Sequence, residues 1–309
     1  MSPLLASLLP VFGVIALGWA LRRSGLVKAD AWPGITRLTY VGLSPALLFS
    51  VISTADFDGI TVGPAILAVA AGFLGMGALI LALRPLIPAS GPSFTSIFQA
   101  GARWNGLLIL ALAVIAWGTE GEVLVSLIMV VTIPIVNIMA VTVLSVWGEG
   151  AKPDLRSVAL RIVTNPLILG CLAGAAANAL GLFQSGAVAD ILALIGRAAL
   201  PLILLSVGAG LDFAALKERP HLLAISVVLK LAIAPVMFGL MAWMLGATGD
   251  AFALVVLVGA SPSAASAYVL AQQMGGDSRL TAGDVTATTL LSLLTIPLAM
   301  EIATRIAPV

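Results

Sequence analysis

Charge is what this chain has least of. Of its 309 residues only 9% are charged, against 61% hydrophobic, and the mean hydropathy is +1.15. Soluble domains carry about 25% charged residues. No soluble interior can hide this much apolar surface, so lipid is the expected solvent. The net charge is +1, with no basic patch, which excludes a polyanionic partner such as nucleic acid. Cysteine is nearly absent. Cys171 stands alone in an apolar run, so there is no disulfide framework and no metal spacing. His221 is the one histidine. A His-based triad or a metal centre is not expected, and no cofactor is.

Long hydrophobic runs are there instead. Stretches of spanning length fall at about 4–21, 33–54, 62–83, 94–117, 122–147, 157–180, 187–210, 221–246, 251–273 and 281–306. Each approaches the ~20 residues that cross a bilayer. The expected fold is all-α and integral to the membrane, with ten transmembrane helices. The first run has Arg22 and Arg23 after it and no basic residue before it. A signal peptide carries its charge first, so a retained first helix is expected.

Ten spans sort the loops onto two sides. Arg22, Arg23, Lys28, Arg84, Lys152, Arg156, Lys217, Arg219 and Arg279 fall on one, and Arg305 alone on the other. By the positive-inside rule the basic side is cytoplasmic and both termini face outward, in an inner (plasma) membrane. Asp56, Asp58, Glu120, Glu122, Asp190 and Asp250 lie in the opposite loops.

The first 58 residues recur 156 positions later. Pro10 meets Pro166, Gly18 meets Gly174, and Gly25-Leu26 meets Gly181-Leu182. Pro45 meets Pro201, Ser50-Val51 meets Ser206-Val207, Asp56-Phe57 meets Asp212-Phe213, and Pro64 meets Pro220. Leu and Ala matches are cheap in such a chain; paired Pro, Gly and Asp-Phe matches at one offset are not. Five spans per half force the second half to enter from the opposite side. The expected domains are an inverted repeat at 1–147, a cytoplasmic linker at 148–156 and a second repeat at 157–309. Inverted repeats build one site that opens to either side, which points to a transporter.

Three places should break their helices. In the fourth span, Phe98-Gln99-Ala100-Gly101-Ala102-Arg103-Trp104-Asn105-Gly106 puts a charge, two amides and two glycines at mid-depth. Arg103 either snorkels or braces a carbonyl, or it borders an aqueous cavity with Asn105 and meets an anion. A guanidinium fork suits both oxygens of a carboxylate. In the ninth, Gly259-Ala260-Ser261-Pro262-Ser263-Ala264-Ala265-Ser266-Ala267-Tyr268 reads as a Pro kink among small residues or as an unwound crossing point. A half-helix N-terminus there would offer free N–H groups to an anion. Gly101, Gly106 and Pro262 are the candidate hinges. Pro45 in the second span and Pro201 in the seventh are paired kinks, read as structural.

Asn137 follows Pro134 in the fifth span, and Thr286, Thr288, Thr289 and Ser292 form a hydroxyl run in the tenth. The candidate substrate-binding set is Arg103, Asn105, Gly106, Asn137, Ser261, Pro262, Ser263 and Thr289. Lys230 is a second intramembrane cation, which either snorkels or joins the site. Asp284 and Glu301, near the ends of the last span, are the weak candidates for coupling a cation.

The stretch Ala260-Ser261-Pro262-Ser263-Ala264-Ala265-Ser266-Ala267-Tyr268-Val269-Leu270-Ala271-Gln272-Gln273, with Gly275-Gly276-Asp277 and Thr288-Thr289-Leu290-Leu291-Ser292-Leu293-Leu294-Thr295-Ile296-Pro297, resembles the C-terminal signature of the auxin efflux carrier family. That family includes plant PIN exporters and bacterial malate/malonate permease-like members. Arg103-Trp104-Asn105-Gly106 resembles its Asn/Gly motif, but Asn105 touches Gly106 directly and Ala111 stands where a Pro is expected. The resemblance covers the whole chain. It implies a bile-acid-carrier/NhaA-like bundle with broken helices 4 and 9 crossing at the midplane. Spans 1, 2, 6 and 7 would be a scaffold that forms a homodimer, and spans 3–5 and 8–10 a transport domain. The function it implies is elevator-type efflux of small organic anions such as auxin-like acids, malate or malonate, as a potential-driven uniporter. A sodium- or proton-coupled symporter on the same fold is the alternative. A channel would need a pore ring, and an enzyme clustered acids at depth; neither is visible.

Overall fold

The computed structural model describes residues 3–55, 62–150 and 155–307. All regular structure in these residues is helical, with six segments long and apolar enough to cross a membrane: Ala31–Ser53, Gly63–Ala82, Gly91–Trp147, Ala187–Ala209, Pro220–Met244 and Ser278–Ile306. The protein is a multi-pass, all-α membrane protein. Asp56-Phe57 of the repeat and linker residues 151–154 lie outside the described residues.

The helices run α1 (Pro3–Arg23), α2 (Ala31–Leu38), α3 (Ser44–Ser53), α4 (Val62–Ala82), α5 (Gly91–Ala102), α6 (Gly106–Trp147), α7 (Leu155–Val163) and α8 (Pro166–Ala179). They continue with α9 (Ala187–Arg197), α10 (Ala199–Ala209), α11 (Pro220–Val227), α12 (Ala234–Met244), α13 (Gly249–Ala260), α14 (Ser266–Met274) and α15 (Ser278–Ile306). Two compact units result. The first holds residues 1–60, 107–133 and 160–210; the second holds 61–106, 134–159 and 211–309.

Proline decides where the long runs bend. A wide π turn at Thr39–Leu43 precedes Pro45, and another at Val228–Ile233 precedes Pro235. A proline ring cannot share space with the carbonyl four residues back, and the extra residue in the turn makes room. The sixth run was expected to be continuous, yet it breaks between α7 and α8. Asn165 supplies the reason: its side-chain oxygen accepts from Leu167 N at 3.0 Å and Ile168 N at 3.4 Å, with Pro166 at the first helical position. This is a polar cap followed by proline. At the matching place in α1, Leu9 offers no cap and the helix runs straight through Pro10. Within α6, Gly118 takes φ 59° and ψ −140°, which divides that long helix in two.

In the first unit α1 lies on α10 and α3 on α8. Gly18 lets α1 touch the Leu205 backbone, and Gly208 lets α10 touch Ile15. A Cβ at Gly174 of α8 would stand 2.8 Å from the Phe49 carbonyl oxygen of α3. Residues 18 and 174 differ by the repeat offset, and so do 49 and 205. The two contacts therefore join the same pair of offset positions, 18 with 205 and 174 with 49.

The second unit centres on α13, buried from Phe252 to Ala260 and packed on α4, α12 and α15. Phe73, Phe238 and Trp104 form its aromatic core, with Phe73 and Phe238 edge to face at 4.9 Å.

Candidate functional site

Two helices in the second unit lose their hydrogen-bond ladder. α5 ends at Ala102 and α6 starts at Gly106, leaving Arg103, Trp104 and Asn105 outside any helix, with Arg103 extended. α13 ends at Ala260 and α14 starts at Ser266. Unwound backbone at membrane depth is tolerated only where other protein groups or water satisfy it. Here the two breaks satisfy each other. The Asn105 N–H donates to the Pro262 carbonyl at 3.1 Å and to Ser261 Oγ at 2.9 Å. Ser261 Oγ donates onward to the Pro262 carbonyl at 3.0 Å. The Ser263 N–H donates to Thr288 Oγ1 on α15 at 3.1 Å. Arg103 Nη2 donates to Ser266 Oγ at 3.0 Å, which ties the end of one break to the helix opening after the other.

The breaks are held from behind. Trp104 is buried and packs on Phe73, with ring centroids 5.9 Å apart. Gly101 sits against Ile80 and Leu229, where a side chain would collide. Arg103 is 6% exposed, so its charge lies inside the unit rather than snorkelled to an interface. Asn105 and Gly106 are half-exposed, while Ser261, Pro262 and Ser263 are buried. α6 and α14 both open at this junction, and the N-termini of helices favour negative charge.

The expected residues separate into two groups. Arg103, Asn105, Gly106, Ser261, Pro262 and Ser263 come together. Asn137 lies half-buried on α6, and no hydrogen bond among the described residues joins it to the breaks. Thr289 is buried, yet its neighbour Thr288 is the one whose hydroxyl holds the break. A step of one residue turns the helix by about 100°, since 3.6 residues complete a turn, so a hydroxyl run alone could not distinguish the two. Pro45 and Pro201 lie in the first unit, near the heads of α3 and α10, away from these residues in the chain.

Sequence reasoning underrated one residue. Asp284 lies near the start of α15, as expected, but it is 0% exposed. Its sequence signal was the spacing Asp277, Thr281, Asp284, Thr288, which places four polar groups on one helical face.

A family model for membrane transport proteins matches residues 3–300. A protein of Rhizobium meliloti named "Putative malonate transporter" is 30% identical over 308 residues, covering 96% of this chain and 94% of the relative. A protein of Methanothermobacter thermautotrophicus named "Uncharacterized transporter" is 27% identical over 296 residues, covering 94% of this chain and 96% of the relative. The family and both relatives are transporters, not enzymes. With the match running through both helix breaks and nearly the whole chain, this protein belongs to the membrane transport protein family, the auxin efflux carriers whose signature its ninth run resembles.

Proposed function

We propose that the protein is a secondary carrier of small organic anions, most simply carboxylates such as malonate, malate or an auxin-like acid. The observation that carries this reading is the mutual anchoring of the two breaks, Asn105 to Ser261 and Pro262, beside the buried Arg103. A carboxylate would lie between the Arg103 fork, the Asn105 side chain and the N–H groups where α6 and α14 open. Gly106, Ser263, Asn137 and Thr289 complete the proposed lining.

The carrier works by an elevator movement in this reading. It consists of two inverted five-helix repeats in an inner membrane, with both termini outside and a homodimer formed through the scaffold spans 1, 2, 6 and 7. The exchanged Gly18–Leu205 and Gly174–Phe49 contacts support the repeat. The division into two compact units supports a body that moves and a body that stays. Inside-negative potential drives anions outward at ~2.3 kcal/mol per charge per 100 mV, which favours potential-driven export. The second reading, coupled symport, gains support from the burial of Asp284.

Counterflow of labelled malonate, malate and indole-3-acetate in proteoliposomes tests this, with and without a valinomycin-set potential and a sodium gradient. The expected result is potential-dependent flux of one anion, lost in Asn105→Ala. Absence of flux for every carboxylate removes the substrate class.

A further inference from the structure

A polar column runs along the buried face of α15. It begins at Asp277, which caps the helix through Leu280 N at 3.0 Å and pairs with Arg219 at 2.9 Å. Ser93 Oγ donates to the same Asp277 carboxylate at 3.0 Å. One turn deeper, Thr281 Oγ1 meets Ser96 Oγ at 2.9 Å, and Ser96 donates to the Asp277 carbonyl at 2.8 Å. Asp284 follows, with Ser226 of α11 beside its carboxyl. Thr288 comes next, donating to the Asp284 carbonyl at 2.6 Å and accepting from Ser263 in the break. Ser93, Ser96, Thr281, Asp284, Ser226 and Thr288 are all 0–1% exposed. The column thus joins a solvent-exposed rim, where Arg219 is 47% exposed, to the crossing.

Asp284 is the anomaly in it. No ion pair among the described residues includes it, and neither of its carboxyl oxygens has a hydrogen bond meeting ordinary geometry there. An ionised carboxylate buried without a counter-charge is costly by several kcal/mol, so the neutral acid is the form that fits this place. The charged or titratable groups on the elements packed against α15 can be assigned. Arg103 ends α5 and bonds Ser266. Glu218 pairs with Arg279, and Arg219 with Asp277. Lys217 and His221 lie at the exposed rim, and Asp250 and Tyr268 on α13 and α14 are exposed. Lys230 is fully buried, on the π turn one helical turn beyond Ser226.

We propose that Asp284 is a proton site at the inner end of this column, reached from the rim at Asp277, and that it moves one proton with each carboxylate bound at the crossing. The coupling rests on the carrier reading above; the proton site does not. Loading adds a proton to one Asp284 oxygen to make the acid. Unloading gives it to water that enters the column from the rim beside Asp277.

Two measurements test it. The first is the infrared spectrum of purified protein in lipid, for wild type, Asp284→Asn and Asp284→Glu. A protonated carboxyl C=O band is expected in wild type, absent in Asp284→Asn and restored, shifted, in Asp284→Glu. If wild type and Asp284→Asn give the same carboxyl bands, the proton site is overturned whether or not any anion moves. The second uses a pH dye trapped in proteoliposomes during a malonate pulse. Proton movement that accompanies malonate in wild type and falls to background in Asp284→Asn, with equilibrium malonate binding retained, supports coupling whether or not the variant still carries malonate. Malonate flux without proton movement in wild type overturns it. Absence of malonate flux in wild type counts against the carrier reading, and the infrared result still decides the proton site.

Discussion

Asn105 and Ser261 stand 156 residues apart, the offset of the internal repeat, and the backbone N–H of the first donates to the hydroxyl of the second at 2.9 Å. Both lie in stretches where a helix has come undone, between α5 and α6 and between α13 and α14. Asn105 supplies the donor and Ser261 the acceptor, so the Asn105 N–H is not orphaned in the membrane.

Ser261→Ala tests how much this bond contributes. The Asn105 N–H keeps the Pro262 carbonyl at 3.1 Å, so the group is not stranded. A net hydrogen bond contributes about 1 kcal/mol. A matching loss of stability, read by thermal unfolding in detergent, is expected. Flux should fall further than stability, because the break also positions Arg103. Equal flux in Ser261→Ala and wild type would detach this bond from transport.

Arg103→Lys keeps the charge and removes the fork. A carboxylate held at two oxygens would lose one of its contacts. With a charged hydrogen bond at about 1.5–3 kcal/mol, the apparent affinity for malonate should weaken by about tenfold or more. Equilibrium binding of labelled malonate checks it, and unchanged affinity would place Arg103 in a bracing role through Ser266 alone.

Gly18→Ala and Gly174→Ala form a matched pair. Each adds one methyl where helix backbones touch, α1 on Leu205 and α8 on Phe49. Overpacking of this kind costs about 1–3 kcal/mol, partly offset by the better helix propensity of Ala. Both variants should lower the unfolding temperature, Gly18→Ala by more, because its added Cβ stands deeper in the Leu205 backbone than that of Gly174 stands in Phe49. Equal losses would mean that α1 and α10 separate more readily than α3 and α8.

How far the residues alone could lead is clear from these cases. Helix breaks were legible at Arg103–Asn105 and Ser261–Ala265, because Gly, Pro and amides in an apolar run leave few other options. The break at Asn165 was equally legible as an N-cap followed by Pro166, and was hidden only by the evenness of the hydropathy around it. The π turns before Pro45 and Pro235 were not legible: proline marks a defect, while the choice between kink, break and widened turn depends on what packs alongside. Asp284 is a third kind of case. Its position near the start of α15 suggests an exposed span end, but α15 packs on α5 and α11 and Asp284 is fully buried. Burial by neighbours remote in sequence cannot be read from a local window.

Thr288 and Thr289 should behave oppositely. Thr288→Val strands the Ser263 N–H, and an unsatisfied buried donor costs about 1–3 kcal/mol. Thr289 Oγ1 is buried without a partner among the described residues, so Thr289→Val removes a polar atom that gains nothing there. That variant should fold at least as stably as wild type. If its malonate flux nevertheless drops, the Thr289 hydroxyl serves substrate in a state other than the one described. If its flux is unchanged, Thr289 leaves the proposed binding set and Thr288 takes its place.

Lys230→Met gives the widest separation between stability and function. The Lys230 ammonium is 0% exposed, and no acceptor among the described residues takes a hydrogen bond from it. Replacing a buried polar group that has no partner by an apolar side chain of similar length removes a desolvation cost of about 1–3 kcal/mol. A protein keeps a residue that works against its own stability when the residue has another task. Here the π turn that carries Lys230 packs on α5, α13 and α15, the helices that frame the crossing. The expected outcome is a higher unfolding temperature together with reduced flux of the dianion malonate, and a smaller reduction for the monoanion indole-3-acetate. A stabilised variant with undiminished malonate flux would assign Lys230 to the membrane topology of the chain instead of to its substrate.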